Sequence, residues 1–504
     1  MHLTTCKEEC SPQDNPLHFD LLKWHDINHF LPGLDPSILW HPISFQNVQP
    51  VMNQLIRKYN IPGPRYTSYP TVPYWDSETF SADLWQQSFI KSFAESNDKD
   101  GISLYIHLPF CESLCTFCAC HKRITKQHSV ERPYLEAVIK EWEMYVDLLG
   151  KKPVITELHL GGGTPTFFSP ANLKFLIEAI FSKAIIGKQP EFSFEGHPNN
   201  TTAEHLQTLY DLGFKRVSFG VQDYDPKVQK TINRIQPFEN VKGVTLAARA
   251  IGYESISHDL IFGLPFQTWN SMSETIEKTK SLKPDRIAFY SYAHVPWIKG
   301  VGQRGFDEND LPTPDQKREL YEKGKELLST LGYIEIGMDH FALPTDSLYK
   351  SMEKKTIHRN FMGYSSSSTQ LMIGLGMSAI SDSWYAFAQN EKSTEEYIKR
   401  VNEGKIPVVR GHVLNNEDLI VRRHIHNLMC LLETSWEDEQ MKLAEKNPII
   451  VRLLEMENDG LINLNDGHVK VTEKGRTFVR NIAMAFDLRM LRHQPESRIF
   501  SMTI

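Results

Sequence analysis

From about residue 101 the chain alternates short apolar runs with longer stretches of helical period. This rhythm limits the fold more than any other feature. Ile102–Leu108 reads as a strand and Tyr134–Leu149 as a helix. The pattern continues with strand Val154–Leu160 and helix Ser169–Ala184, then strand Glu191–Glu195 and helix Ala203–Leu212. Strand Arg216–Val221 precedes helix Asn240–Ile251, strand Ser255–Ile261 precedes helix Met272–Leu282, and strand Arg286–Ser291 precedes helix Asp315–Leu331. Tyr333–Gly337 is a last strand-like run. Strands joined through helices run parallel, because each crossover returns the chain to the same end of the sheet. Six or more such units predict an α/β fold built as a full or partial parallel (β/α) barrel.

Polar residues and glycines gather after these strands, not before them. Cys111 follows the first, and Gly161-Gly162-Gly163-Thr164-Pro165 follows the second. Glu195 ends the third, Gln222-Asp223 the fourth, and Tyr292-Ala293-His294 follows the sixth. Asp259, with Gly263-Leu264-Pro265, marks the fifth. Parallel barrels place their sites at the C-terminal ends of strands. The glycine run lets backbone N–H groups and a ligand approach closely. Glu195 is placed to accept from an ammonium, and Asp259 to bind ribose hydroxyls.

The first of these loops reads Cys111-Glu-Ser-Leu-Cys115-Thr-Phe-Cys118-Ala-Cys120. Cys111, Cys115 and Cys118 suit three irons of a [4Fe–4S] cube and leave the fourth iron open to a small molecule. A structural zinc knot using Cys120 and His121 is the competing reading. Cysteine-only zinc sites usually draw on two separated pairs, and here no second pair exists. The other cysteines, Cys6, Cys10 and Cys430, are scattered. Disulfides are the third alternative.

Composition sets the class. The chain has 504 residues, of which 40% are hydrophobic and 23% charged. That is ordinary globular material with room for several domains. No apolar run is long enough for a membrane span, and the acidic, polar N-terminus is no signal peptide. Cysteines concentrated in one loop point to a reducing cytoplasm. The net charge of −7, with no basic stripe, disfavours nucleic acid.

Four regions are expected. Residues 1–51 form an extension, dispensable for chemistry or reflecting an upstream start, since Met52 opens an ordinary beginning. Its Cys6 and Cys10, with His2 and His18, make half a ligand set. Residues 52–100 form a segment that contacts substrate, and 101–389 form the catalytic barrel. Residues 390–504 lose the alternation. They carry helical runs Leu419–Leu432 and Ile449–Met456, a hairpin turning at Asn465-Asp466-Gly467, and a helix from Gly475. This region reads as mainly helical with a winged-helix-like unit.

The cysteine spacing resembles that of the radical S-adenosylmethionine enzymes. A more specific resemblance rests on Ile61-Pro-Gly-Pro-Arg65-Tyr66-Thr67-Ser68-Tyr69-Pro-Thr, Tyr105-Ile-His-Leu-Pro-Phe-Cys111 and Leu158-His-Leu-Gly-Gly-Gly-Thr-Pro165. It extends to Gly220-Val-Gln222-Asp223, Asp259-Leu-Ile-Phe-Gly-Leu-Pro-Phe-Gln267-Thr, Gly337-Met-Asp339-His340-Phe341-Ala and His358-Arg359-Asn360-Phe361. Together these are similar to the oxygen-independent coproporphyrinogen III oxidases, from about residue 55 to the C-terminus.

The resemblance implies an oxidoreductase of heme biosynthesis. Two propionates of coproporphyrinogen III become vinyl groups, by way of a 5′-deoxyadenosyl radical, to give protoporphyrinogen IX. It implies a [4Fe–4S] cluster on Cys111, Cys115 and Cys118, with Cys120 near the cluster and not a ligand. Two S-adenosylmethionine molecules are implied. Tyr105, Gly162, Glu195, Ala293 and Ile336 would contact the cluster-bound one, and Phe117, Gly163, Thr164, Gln222, Arg234 and Asp259 the second. Arg65 and Arg359 are candidate partners of substrate carboxylates, or else structural ion pairs. The expected partners are coproporphyrinogen III, a flavodoxin-type electron donor and an unnamed acceptor. The chain is expected to act as a monomer. A heme chaperone and another porphyrin-acting radical relative are the alternatives; the PGPRYTSYPT run and Cys120 favour the oxidase. His197, after Glu195-Gly196, departs from the acidic residue usual in the family.

Overall fold

The computed structural model describes residues 48–296, 302–438, 441–442, 446–495 and 499–503. Leu55–Ile504 forms one compact unit, and Met1–Gln54 groups apart from it. His2, Cys6, Cys10 and His18 lie outside the described residues, with nearly all of the 1–51 extension. Among the described residues, no helix is long and apolar enough to cross a membrane.

Twelve strands make one sheet. They are β1 Ile102–Leu108, β2 Val154–Gly162, β3 Ile185–Gly196, β4 Arg216–Gln222, β5 Ser255–Phe262, β6 Arg286–Ser291, β7 Ile334–Gly337, β8 His340–Ala342, β9 Met372–Leu375, β10 Ile380–Asp382, β11 Ala386–Asn390 and β12 Val408–Val413. Their order is β12-β11-β10-β9-β1-β2-β3-β4-β5-β6-β8-β7. The strands from β9 through β1 to β6 run parallel. The two flanks are antiparallel. Among the described residues β12 and β7 remain edges, so the barrel is partial.

The strands and helices expected between residues 101 and 337 are present in the expected order. β1 and β6 have the expected bounds, and β1 is buried at six of its seven positions. A parallel strand covered on both faces needs such a run. Helix α1, Glu131–Leu149, packs Tyr134, Val138 and Trp142 into the core and ends at Gly150, whose φ of +65° suits glycine. Helix α2, Pro170–Ser182, starts where the Ser169 hydroxyl accepts from the Asn172 N–H and Pro170 presets the first turn.

Three features of the sheet differ from expectation. β3 begins at Ile185 instead of Glu191, because Ile185 and Ile186 pair with Val154 and Ile155. β9 has no crossover helix of the expected kind before it, yet pairs in parallel with β1 from Ser103↔Met372 to Ile106↔Leu375. The sheet also passes residue 389: β11 ends at Asn390 and pairs with β12. Backbone pairing thus carries the barrel's sheet into the region expected to be C-terminal.

Beyond β12 lie helices α3, Asn416–Leu431, and α4, Lys446–Asn458. Strands Glu433–Ser435, His468–Val471 and Ile462–Asn465 form a small sheet beside them, turning at Gly467 with φ +81°. This matches the winged-helix-like pattern. After Gly475 a 3-10 turn, Lys474–Phe478, and a short helix, Val479–Met484, replace the single helix expected.

Candidate functional site

β1 delivers the cysteine loop to the C-terminal end of the sheet. Phe110–Cys111 pairs with Arg123–Ile124 and closes the loop at its base. The Arg123 N–H donates to Pro109 O at 2.8 Å, and the Thr125 N–H to Cys111 O at 2.9 Å. A second segment pins the far side: the Thr116 N–H donates to Ile232 O at 2.9 Å, and Asn233 Nδ2 to Leu114 O at 2.7 Å.

Cys111, Cys115 and Cys118 line one cavity of about 420 Å³. Burial pushes the Cys111 thiol up to about 11. The neighbouring Cys120 thiol holds Cys118 below the usual thiol range, with Lys122 and Arg234 adding positive charge. Arg234 donates to Gly220 O at 2.6 Å and toward Cys115 Sγ at 3.6 Å, while its buried Nε has no partner. Soft thiolates in one loop fit an iron–sulfur cube. Among the described residues, no three His, Cys, Asp or Glu side chains gather closely enough for a single ion.

The glycine loop is crowded, and the crowding explains its composition. A Cβ on Gly161 would meet Glu195 Oε1 at 3.0 Å and the Tyr105 ring at 3.1 Å. Gly162 has φ +115°, and a Cβ there would lie 2.7 Å from the His107 ring. A Cβ on Gly163 would lie 2.5 Å from the Pro109 carbonyl. The Gly163 N–H donates to Leu108 O at 2.8 Å, and the Thr164 N–H to Phe110 O at 3.0 Å, tying this loop to the cysteine loop. Thr164 Oγ1 lies 3.4 Å from Cys111 Sγ.

Strand ends complete the cavity. Glu195 accepts from the Gly162 N–H at 3.3 Å and from His159 Nε2 at 3.4 Å. Gln222 stands at φ +68° at the end of β4. Asp259 accepts from Ser218 Oγ at 2.8 Å, and burial pushes its carboxyl up to about 7.

Most of the expected site residues therefore meet. Phe117, Gly162, Gly163, Thr164, Glu195, Gln222, Arg234 and Asp259 line the cysteine cavity. Tyr105 lines a second cavity of about 320 Å³, which shares Gly162, Glu195 and Cys120 with the first. Ala293 lies beyond β6, its carbonyl accepting from Gln303 Nε2 at 2.7 Å. Ile336 points into an apolar cluster with Leu348, Ile357 and Tyr364, and lines neither cavity. Arg65 is ion-paired with Asp339. Arg359 is buried over the Tyr364 ring, donates to Arg65 O at 3.2 Å, and keeps Nε and Nη1 unpartnered.

Two residues were not singled out in advance. The Tyr105 hydroxyl donates to His107 Nδ1 at 3.0 Å, and His107 Nε2 donates to His121 O at 2.9 Å. Burial lowers His107 to about 4, so the ring is neutral. His159 stacks on Tyr105 with centroids 6.1 Å apart. The signal for both was the two-residue period of a strand, which puts His107 beside Tyr105 and His159 beside Gly161. His197, at the point of departure from the family pattern, lines the cysteine cavity. Burial and nearby Arg234 lower it to about 3, so it is neutral there.

A partial parallel barrel with three loop cysteines and a glycine loop at its strand ends defines a class. Residues 105–279 match the model of the Radical SAM superfamily. The oxygen-independent coproporphyrinogen III oxidase of Pseudomonas aeruginosa is 37% identical over 457 residues, covering 88% of this chain and 98% of that protein. The enzyme of the same name from Helicobacter pylori strain J99 is 39% identical, covering 85% of this chain and 95% of its own. The solved structure of coproporphyrinogen III oxidase from Escherichia coli, described as a radical SAM enzyme, superposes with a TM-score of 0.80 at 34% identity. It covers 86% of this chain and 98% of that one. The chain belongs to the oxygen-independent coproporphyrinogen III oxidase family.

Proposed function

We propose that the chain converts two propionates of coproporphyrinogen III to vinyl groups, giving protoporphyrinogen IX in heme biosynthesis without O2. For each propionate, a hydrogen atom leaves the β-carbon, the carboxylate carbon departs as CO2, and one electron passes to an acceptor. The observation that carries this reading is the cysteine loop, the glycine loop and Glu195 sharing one cavity. When bound, a reduced [4Fe–4S] cluster supplies the electron that releases a 5′-deoxyadenosyl radical from S-adenosylmethionine.

The protein's part is to hold and orient. Cys111, Cys115 and Cys118 hold the cluster. Glu195, kept in place by the Gly162 N–H and His159, receives the ammonium of the cofactor's methionine end. Tyr105 and Gly162 flank that position, and Ala293 and Ile336 belong to the same assignment by family resemblance. Gly163, Thr164, Gln222, Arg234, Asp259 and Phe117 serve a second S-adenosylmethionine. The unpartnered Nε of Arg234 suits its carboxylate. The protonated form of Asp259, favoured by burial, suits donation to a ribose oxygen near neutral pH.

Arg359, buried with two unpartnered donors, keeps hydrogen-bonding capacity for a substrate carboxylate. Arg65 supports it through Asp339 and its own carbonyl. An acidic one-electron carrier such as a flavodoxin supplies the cluster, in a reducing cytoplasm. Anaerobic incubation of the chain with coproporphyrinogen III, S-adenosylmethionine and a reductant tests the reading. Vinyl products support it; tight heme binding with no turnover supports a chaperone instead.

A further inference from the structure

The second cavity shares Gly162, Glu195 and Cys120 with the cysteine cavity, and its lining includes the apolar Phe361, Met362, Met372 and Ile380. Its volume, about 320 Å³, holds part of a tetrapyrrole, such as one pyrrole ring with its propionate. Neither Arg65 nor Arg359 lines it.

Two other cations, Arg410 and Lys392, lie close to residues that line it. Gln389 lines the cavity, and Arg410, which does not, stands opposite Gln389 on the β11–β12 ladder. Arg410 Nε donates to Gln389 Oε1 at 2.7 Å, and the guanidinium lies 5.7 Å from the centre of the Trp75 ring. Lys392 follows the end of β11 by two residues and is exposed. Both cations act on His121, which also lines the cavity, and each depresses the basicity of a neighbour. The nearby carboxylate, Glu391, has one oxygen 3.8 Å from Arg400 and accepts with the other from the Lys392 backbone N–H at 2.8 Å. Among the described residues, no ion pair joins Arg410 or Lys392 to a carboxylate. Arg410 depresses the basicity of Lys392 more than Glu391 restores it, and an anion between the two cations relieves that repulsion. Arginine adds a planar fork that fits a carboxylate in two-point contact.

We propose that Arg410 and Lys392 form an anion-receiving rim that binds a propionate carboxylate of the substrate, with the ring edge against Phe361, Met362, Met372 and Ile380. This inference rests on the reading above and adds the cations that the reading lacked at this cavity. It also brings the substrate edge to the wall that the two cavities share at Gly162 and Glu195.

Coproporphyrin III, the stable oxidised tetracarboxylate, is the probe, with its tetramethyl ester as the uncharged control. Binding to the anaerobically purified full chain is read by porphyrin fluorescence. Arg410→Gln and Lys392→Gln are each expected to weaken binding of the acid about tenfold while leaving that of the ester nearly as it was, which is the size expected for one charge-assisted contact. Arg410→Lys should recover part of the loss. If either Gln variant binds the acid as the parent does, or loses acid and ester alike, the proposal fails. It fails too if the parent does not bind the acid. Should Arg410→Gln misfold by circular dichroism, Lys392→Gln at an exposed position decides alone. Parent protein that binds the acid through these cations yet forms no vinyl product would sink the proposed reaction and leave the rim standing.

Discussion

The Gly162 N–H donates to a carboxylate oxygen of Glu195 at 3.3 Å, joining the loop after β2 to the end of β3. The contact fixes one lone pair of the carboxylate, and His159 at 3.4 Å fixes the other oxygen. Glu195→Gln replaces one acceptor oxygen with a donor. It is expected to weaken S-adenosylmethionine binding by about tenfold to a hundredfold, the range for a charge-assisted pair. Equilibrium dialysis with the labelled cofactor, at unchanged iron content, measures it; equal affinity would remove Glu195 from the cofactor site.

Gly162→Ala tests the glycine loop. Its φ of +115° disfavours any side chain, and the new Cβ would press on the His107 ring at 2.7 Å. A loss of roughly 2 kcal/mol or more in stability is expected, from strain and overpacking together. Thermal unfolding reads the stability, and cofactor binding should fall with it. A variant as stable and as tightly bound as the parent would contradict the geometry.

Removing any one loop thiol should empty the site. The anaerobic parent is expected to hold about four irons with acid-labile sulfide, as a [4Fe–4S] cube requires. Cys115→Ala should lose both, together with the brown absorbance. Stoichiometric zinc without sulfide in the parent would instead favour the zinc reading.

Glu141 on α1 makes stability depend on pH. It accepts from the Gly376 N–H at 2.8 Å, from Asn390 Nδ2 at 2.7 Å and from the Tyr397 hydroxyl at 2.6 Å. Burial nonetheless pushes its carboxyl up to about 7 from 4.5. The folded chain therefore binds more protons than the unfolded one between those values, so this group's contribution falls as pH rises through the window. The full change is roughly 3 kcal/mol. Denaturant unfolding from pH 5 to 8 should show a shallower decline in Glu141→Gln than in the parent; identical slopes would refute the assignment.

Arg65→Ala breaks the pair with Asp339, which is largely buried. Because Arg359 donates to the Arg65 carbonyl, the backbone partner persists, and the expected result is weaker substrate binding with the fold retained. Coproporphyrin III titration and circular dichroism separate the two effects. Unfolding without a change in affinity would make the pair purely structural.

Much of this was legible in the chain itself. The strands β1 to β6, their crossover helices, the cysteine spacing and the glycine run follow from local periodicity and neighbouring residue types. Such signals are carried within a few residues of one another. The strand-end rule then placed Glu195, Gln222 and Asp259 around one cavity, as the folded chain does. The tertiary structure alone decided the rest. β9 is four residues long, too short for a periodic signal, and joins β1 only because the two meet across some 270 residues of chain. Ile336 and Tyr105 read alike as strand residues, but one turned into an apolar cluster and the other to a cavity. Arg65 found Asp339, while Arg410 found Gln389. Which partner a charge meets is set by long-range packing, and no local pattern records it.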